Sequence, residues 1–190
     1  MVVERSIEYF PDPDAFRAWL AEHHDSSPGI WLKFAKKDSG HTSVSYDEAL
    51  DISLCFGWID GQARPLDDEF WLRGFTPRRA RSPWSKRNRE KTERLIADGL
   101  MQPAGQAAIE AARADGRWDR AYEGQSTATV PQDFLDALAR VPAAEEYFAT
   151  LNKSNRFAVI YRLQDAKRPE TRARRIEKFV QMFAEGTPLH

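Results

Sequence analysis

The apolar positions along this chain follow one kind of period as far as residue 80 and another beyond it. Ile7 to Phe10 is a short apolar run stopped by Pro11, which predicts an opening or edge strand. Asp12 is placed to cap a helix, with Pro13 at its first position and Phe16, Trp19 and Leu20 at core-facing spacing. That helix fades into His23 to Ser27, and Pro28-Gly29 marks a turn. From Ile30 to Lys36 the chain alternates, with Trp31, Lys33 and Ala35 facing away from Leu32, Phe34 and Lys36, so a strand is predicted. Ser45 with Glu48 three residues later is a capping box. The helix it opens carries Ala49, Leu50, Ile52, Leu54, Cys55 and Phe56 almost all round, the pattern of a buried helix, and Gly57 is placed to close it. Trp58 to Arg64 and Glu69 to Phe75 then predict an antiparallel hairpin joined through Pro65-Leu66-Asp67-Asp68.

Beyond Pro77 the period is helical. Ser85 to Asp98 predicts a charged helix with Leu95 and Ile96 inside, closed by Gly99. Pro103 to Ala114 predicts an alanine-rich one ending at Gly116, and Gly124 to Val130 a flexible loop. Pro131 to Arg140, Pro142 to Leu151 and Ser154 to Ala166 predict three short helices. Pro169 starts the last, with Ile176, Phe179, Val180 and Phe183 at i, i+3, i+4 and i+7 before Gly186. The expected class is α+β: a small N-terminal antiparallel-sheet lobe with two helices over residues 1–80, followed by a helical C-terminal lobe over residues 81–190, the two making one compact unit. Locally paired strands argue against a doubly wound parallel sheet.

Composition narrows the function classes. The 190 residues are 42% hydrophobic, enough for a core and too apolar for a disordered chain. Cys55 is the single cysteine, which excludes an internal disulfide and a thiolate-cluster metal site. No apolar run approaches the ~18 residues of a membrane span. Met1 to Phe10 lacks the apolar core of a signal peptide, so a cytoplasmic location is expected. No two of the four histidines stand at a metal-binding spacing; His41 is the one placed to partner Cys55, His23-His24 ends a helix and His190 is the last residue. Phosphate-loop, nucleophile-elbow and dinucleotide-fold patterns do not occur, and no cofactor is expected.

The net charge of −1 conceals an asymmetry. Asp60 to Lys91 holds nine basic residues against five acidic, a surplus of four, and Arg162 to Lys178 holds seven against three, again four. The remainder carries nine negative charges in excess. Two segments concentrate chemistry in and just before the first of these stretches. In Phe75 to Ser85, Arg78, Arg79 and Trp84 lead into a helix N-terminus at Ser85, Lys86 and Asn88, where free N–H groups, guanidinium forks and an aromatic face suit an anion. The competing reading pairs these arginines with Asp67, Asp68 and Glu69 across the hairpin. In Cys55 to Gln62, Asp60 before Gly61 predicts a bulge exposing a carboxylate, and strand alternation puts Trp58, Asp60 and Gln62 in one row. Asp60 is the candidate general acid or base there, against a purely structural carboxylate. Arg168, Arg172, Arg174 and Arg175 crowd the start of the last helix, a phosphate-binding face or a solvated one.

Ser45 to Leu50, Cys55 to Gly61, Phe75 to Arg79 and Ser82 to Asn88, with Gly116 to Asp119 and the runs Asn155 to Phe157 and Lys167 to Arg172, resemble the YdeI/OmpD-associated family. The resemblance spans about Phe10 to Gly186. It implies a bacterial bacteriocin-protection or stress-resistance protein, with a porin association carried by the family name alone, and it assigns no catalytic residue to any position of this sequence. The chain is therefore expected to bind a small anionic or aromatic ligand in a basic cleft formed by Trp58, Asp60, Gln62, Arg78, Arg79, Trp84, Ser85, Lys86 and Asn88. An enzyme acting on a small anionic substrate through Asp60 is the first alternative. A nucleic-acid binder using both basic segments is the second, disfavoured by the overall charge balance.

Overall fold

The computed structural model describes residues 5–124 and 127–189; Met1 to Glu4, Gln125, Ser126 and His190 lie outside the described residues, as does that part of the predicted loop from Gly124 to Val130. The chain divides into two compact units, Met1–Ala121 and Tyr122–His190.

In the first unit, β1 (Ile7–Tyr9), β2 (Ile30–Ala35), β3 (Trp58–Pro65) and β4 (Phe70–Pro77) form one sheet in the order β1-β2-β4-β3. The β3–β4 hairpin and the β2–β4 pair are antiparallel, whereas β1 runs parallel to β2. The antiparallel sheet expected from sequence is thus corrected to a mixed one. The reason is α1 (Pro13–His23), which links β1 to β2 as a crossover and brings the chain back to the end it left. Asp12 caps α1 by accepting from the Ala15 N–H at 2.8 Å. Ser45 and Glu48 form the capping box of α2 (Tyr46–Cys55). Gly57 follows with φ +73°, and a Cβ there would stand 2.8 Å from the Ala104 carbonyl oxygen; both facts require glycine.

Opposed residues in antiparallel strands share a face, so the register sorts the sheet. Ile30, Leu32, Phe34, Trp71, Arg73 and Phe75 lie on the inner face. There Phe16 of α1 meets Phe75 at 6.1 Å, Trp19 meets Trp58 at 6.0 Å, and Tyr46 of α2 meets Trp71 at 6.4 Å. The outer face carries one row of Tyr9, Lys33, Leu72 and Arg64 and another of Ile7, Trp31 and Gly74. Among the described residues, every ring contact between helix and sheet falls on the inner face.

Helices α3 (Lys86–Ala97) and α4 (Pro103–Ala114), read from sequence as part of a helical lobe beginning at residue 81, belong to the first unit and supply Leu95, Ile109 and Ala112 to its core. Ile96, expected inside, is exposed. Neighbouring helix positions differ by about 100° in direction, and Leu95 takes the inward one. In the second unit, α5 (Gln132–Ala139), α6 (Pro142–Thr150), α7 (Lys153–Gln164) and α8 (Pro169–Ala184) enclose Phe134, Leu138, Phe148, Val159, Leu163, Phe179 and Phe183. No helix among the described residues is long and apolar enough to cross a membrane.

Candidate functional site

The predicted bulge exists. Asp60 pairs with Phe75 and Ala63 with Arg73, so β3 spends one residue more than β4 between these points. An extra residue reverses the alternation beyond it. Ala63 shares the inner face with Arg73, which turns Gln62 outward; the expected row of Trp58, Asp60 and Gln62 is corrected to Trp58 and Asp60 alone.

Asp60 is engaged rather than free. Arg73 donates to its Oδ2 from Nε at 3.1 Å and also from Nη2, and the Tyr46 hydroxyl donates to the same oxygen at 2.8 Å. The pair is largely enclosed, with Asp60 14% and Arg73 26% exposed. Burial and the neighbouring Asp60 charge push the Tyr46 phenol up to about 12, so it stays a neutral donor at ordinary pH. The Arg73 guanidinium also stands over the Tyr46 ring, 4.9 Å from its centre. Sequence reading missed both partners. The strand alternation that joins Arg73 to Trp71 and Phe75 was the available signal for one, but nothing local ties the first residue of α2 to a strand carboxylate.

The segment from Arg78 to Asn88 turns inward. Trp84 is 1% exposed; it takes the Arg78 guanidinium on its face at 3.6 Å and Trp118 on its edge at 5.0 Å. Arg78 Nη1 donates to the Pro83 carbonyl at 3.2 Å. Ser85 caps α3 by accepting from the Asn88 N–H at 3.1 Å, and Asn88 is itself buried. Trp58, also 1% exposed, donates its indole N–H to the His24 carbonyl at 2.9 Å. The stacking roles expected of Trp58 and Trp84 are therefore corrected: neither ring has an open face, because both complete the core. Arg79 and Lys86 are exposed, the Arg79 N–H resting on Ser82 Oγ at 3.1 Å. The Arg78 N–H donates to the Gly57 carbonyl at 2.9 Å, which brings the two segments together through backbone alone. The acids of the hairpin are used locally: Asp67 accepts from the Glu69 and Phe70 N–H groups, and Glu69 faces His41 at 3.3 Å.

Cations meet rings instead on the outer sheet face, where Phe70 is buried, Trp31 half-buried and Tyr9 exposed. The Arg64 guanidinium lies 4.0 Å above the Trp31 ring and that of Arg5 5.9 Å from it. Trp31 lies across Gly74, where a Cβ would sit 3.5 Å from the indole and 3.1 Å from Arg5 Nη1. The Lys33 ammonium is 3.7 Å from the centre of the Phe70 ring and 5.9 Å from that of Tyr9. Tyr9 is 42% and Ile7 48% exposed. Arg5, Lys33 and Arg64 form no ion pair with any described residue; the nearest carboxylate influence is Asp67, close enough to Lys33 for its own acidity to respond. The predicted alternation of Trp31 and Lys33 away from Leu32 and Phe34 was the sequence signal for this face.

The second unit holds a shallow groove of about 800 Å³ between α5 and α8, with Val141, Ile176 and Val180 on its floor. On its rim Arg172 grips Asp133 from Nε at 2.6 Å and Nη2 at 2.8 Å, so this arginine, a candidate phosphate contact, is paired within the unit. Arg175 likewise reaches Asp165 and the Arg162 carbonyl. Among the described residues, no group of three His, Cys, Asp or Glu side chains is arranged to hold a metal ion.

Residues 8–108 match the model of a domain of unknown function (DUF8412), and residues 127–186 match the model described as Bacteriocin-protection, YdeI or OmpD-Associated. No curated protein and no solved structure matches the chain. The two matches fall in separate units, the first containing Asp60, Arg73 and the outer sheet face and the second the helices α5 to α8. The chain belongs to the family of that domain of unknown function, and residues 127–186 of its second unit are similar to the family described as Bacteriocin-protection, YdeI or OmpD-Associated.

Proposed function

We propose that this is a stress- or antimicrobial-resistance type protein that acts by binding a small ligand with both an anionic group and an aromatic ring. The observation that carries the reading is the outer sheet face, where Arg5, Lys33 and Arg64, paired with no carboxylate among the described residues, lie on Trp31, Tyr9 and Phe70. Guanidinium and ammonium groups attract the anion, and the half-exposed Tyr9 ring and the guanidinium plane over Trp31 supply flat surfaces for its aromatic part. The cleft from Trp58 to Asn88 is thereby replaced as the binding surface, since its aromatic members are in the core. The acid/base role for Asp60 draws less support, because the carboxylate is largely enclosed and its Oδ2 already accepts from Arg73 and Tyr46.

Thermal unfolding in the presence of ATP, adenosine and tripolyphosphate tests the reading. A ligand at about a hundred times its Kd raises the melting temperature of a chain of this size by roughly 5–10 °C. ATP is expected to produce such a shift, with the ring alone and the phosphates alone falling short, and Arg64→Glu is expected to abolish it. Equal shifts from ATP and tripolyphosphate would reduce the site to simple charge attraction.

A further inference from the structure

We infer that the outer sheet face binds single-stranded nucleic acid; this rests on the reading of that face as an anion-and-ring site and names its ligand. A lone small molecule needs one station. This face has two, the Arg64 guanidinium over Trp31 and, beside Lys33, the half-exposed Tyr9 ring. Trp31 and Lys33 are two residues apart on β2, about 6.6 Å along the strand, so the stations repeat at the spacing of the sheet. A ligand that fills both carries rings and negative charges in alternation along a flexible chain. Unpaired nucleotides have that form, and bases stack on aromatic rings and on guanidinium planes alike.

The surrounding chemistry agrees. Outward positions on the four strands hold Lys33 and Arg64, with Arg5 just before β1, and no carboxylate. Glu8 stands opposite Leu32 and so belongs to the inner face. The Tyr9 hydroxyl donates to the Thr42 carbonyl, which fixes its half-exposed ring at the open end of the row. A regular duplex stacks its bases internally and would meet only the cations.

Fluorescence anisotropy of a labelled fifteen-residue oligothymidylate with the whole chain tests the inference, against ATP, a duplex of equal length and polyphosphate as competitors. The single strand is expected to bind more tightly than ATP, duplex or polyphosphate. Three phosphate contacts set a salt slope of about −2, a loss of roughly 20-fold between 50 and 200 mM salt. Trp31→Ala is expected to weaken binding by at least about fivefold through lost stacking. Lys33→Glu and Arg64→Glu, which leave the aromatic packing in place, are expected to weaken it further and to flatten the salt slope. Affinity that does not rise from ATP to the oligomer overturns this inference and leaves the small-ligand reading standing. Polyphosphate competing as well as the oligomer, with Trp31→Ala folded and unaffected, also overturns it. Absence of binding to both ATP and the oligomer overturns the two together.

Discussion

Arg73 donates to a single oxygen of Asp60 with both Nε and Nη2, across the bulge where β3 gains a residue on β4. Asp60 opposes Phe75, and Arg73 stands two residues from Phe75 on the same face, so the two side chains meet as diagonal neighbours on the inner face. Removing Arg73 leaves a mostly enclosed carboxylate with only the Tyr46 hydroxyl. Breaking a fully buried pair costs about 3–5 kcal/mol, and partial exposure of this one reduces that to about 1–3 kcal/mol. Urea denaturation of Arg73→Met should show a loss in that range, and Asp60→Asn in the same background should recover part of it. A change below about 0.5 kcal/mol would mean that water already screens the pair.

The Tyr46 phenol gives an alkaline prediction. Its native pKa, about 12, lies above the ordinary value of 10.0, so the neutral form is favoured by folding. Its contribution is complete below pH 10 and is lost as the pH rises from 10 toward 12. Absorbance titration at the phenolate band should show a late component that disappears in Tyr46→Phe, while the wild-type protein loses stability across the same interval.

The crossing of α2 and α4 is set by one glycine. A Cβ on Gly105 would fall inside the contact distance of the Cys55 carbonyl oxygen, which also accepts the Gln102 N–H at 3.1 Å. Gly105→Ala should therefore destabilise the first unit by about 1–3 kcal/mol, although alanine is the better helix former. A lower denaturation midpoint with an unchanged slope is the expected readout, and an unchanged midpoint would show that the helices can move apart.

In the second unit the Arg172 guanidinium holds the Asp133 carboxyl below its ordinary value. A depressed carboxylate contributes stability above that value and loses it as the pH falls through the depressed one. Hydrogen exchange of α5 and α8 amides, corrected for the intrinsic rate, should show protection falling on acidification from pH 7 to about 2.5. Asp133→Asn should start lower and change less. Identical pH profiles for the two proteins would remove Asp133 from the account.

Local signals carried far into this fold. The Asp12 and Ser45 caps, the left-handed Gly57 and the Asp60-Gly61 bulge depend on groups within a few residues of one another, and each stands where the sequence puts it. The uses of Trp58 and Trp84 do not follow from neighbours. An indole beside arginines reads as a ligand surface until His24, Trp19 and Trp118 are brought over it from elsewhere in the chain.

The sequence by itself determined the α+β class, the order and approximate ends of the elements, and the family resemblance, because caps, turns and apolar periods act over short distances. Tertiary structure alone decided the parallel β1–β2 pairing, the grouping of α3 and α4 with the sheet, and the Tyr46–Asp60–Arg73 cluster. It also decided which cations remain unpaired. Charge surplus can be counted along a chain, but availability depends on whether a carboxylate arrives from a distant element, as Asp133 does for Arg172 and none among the described residues does for Arg64.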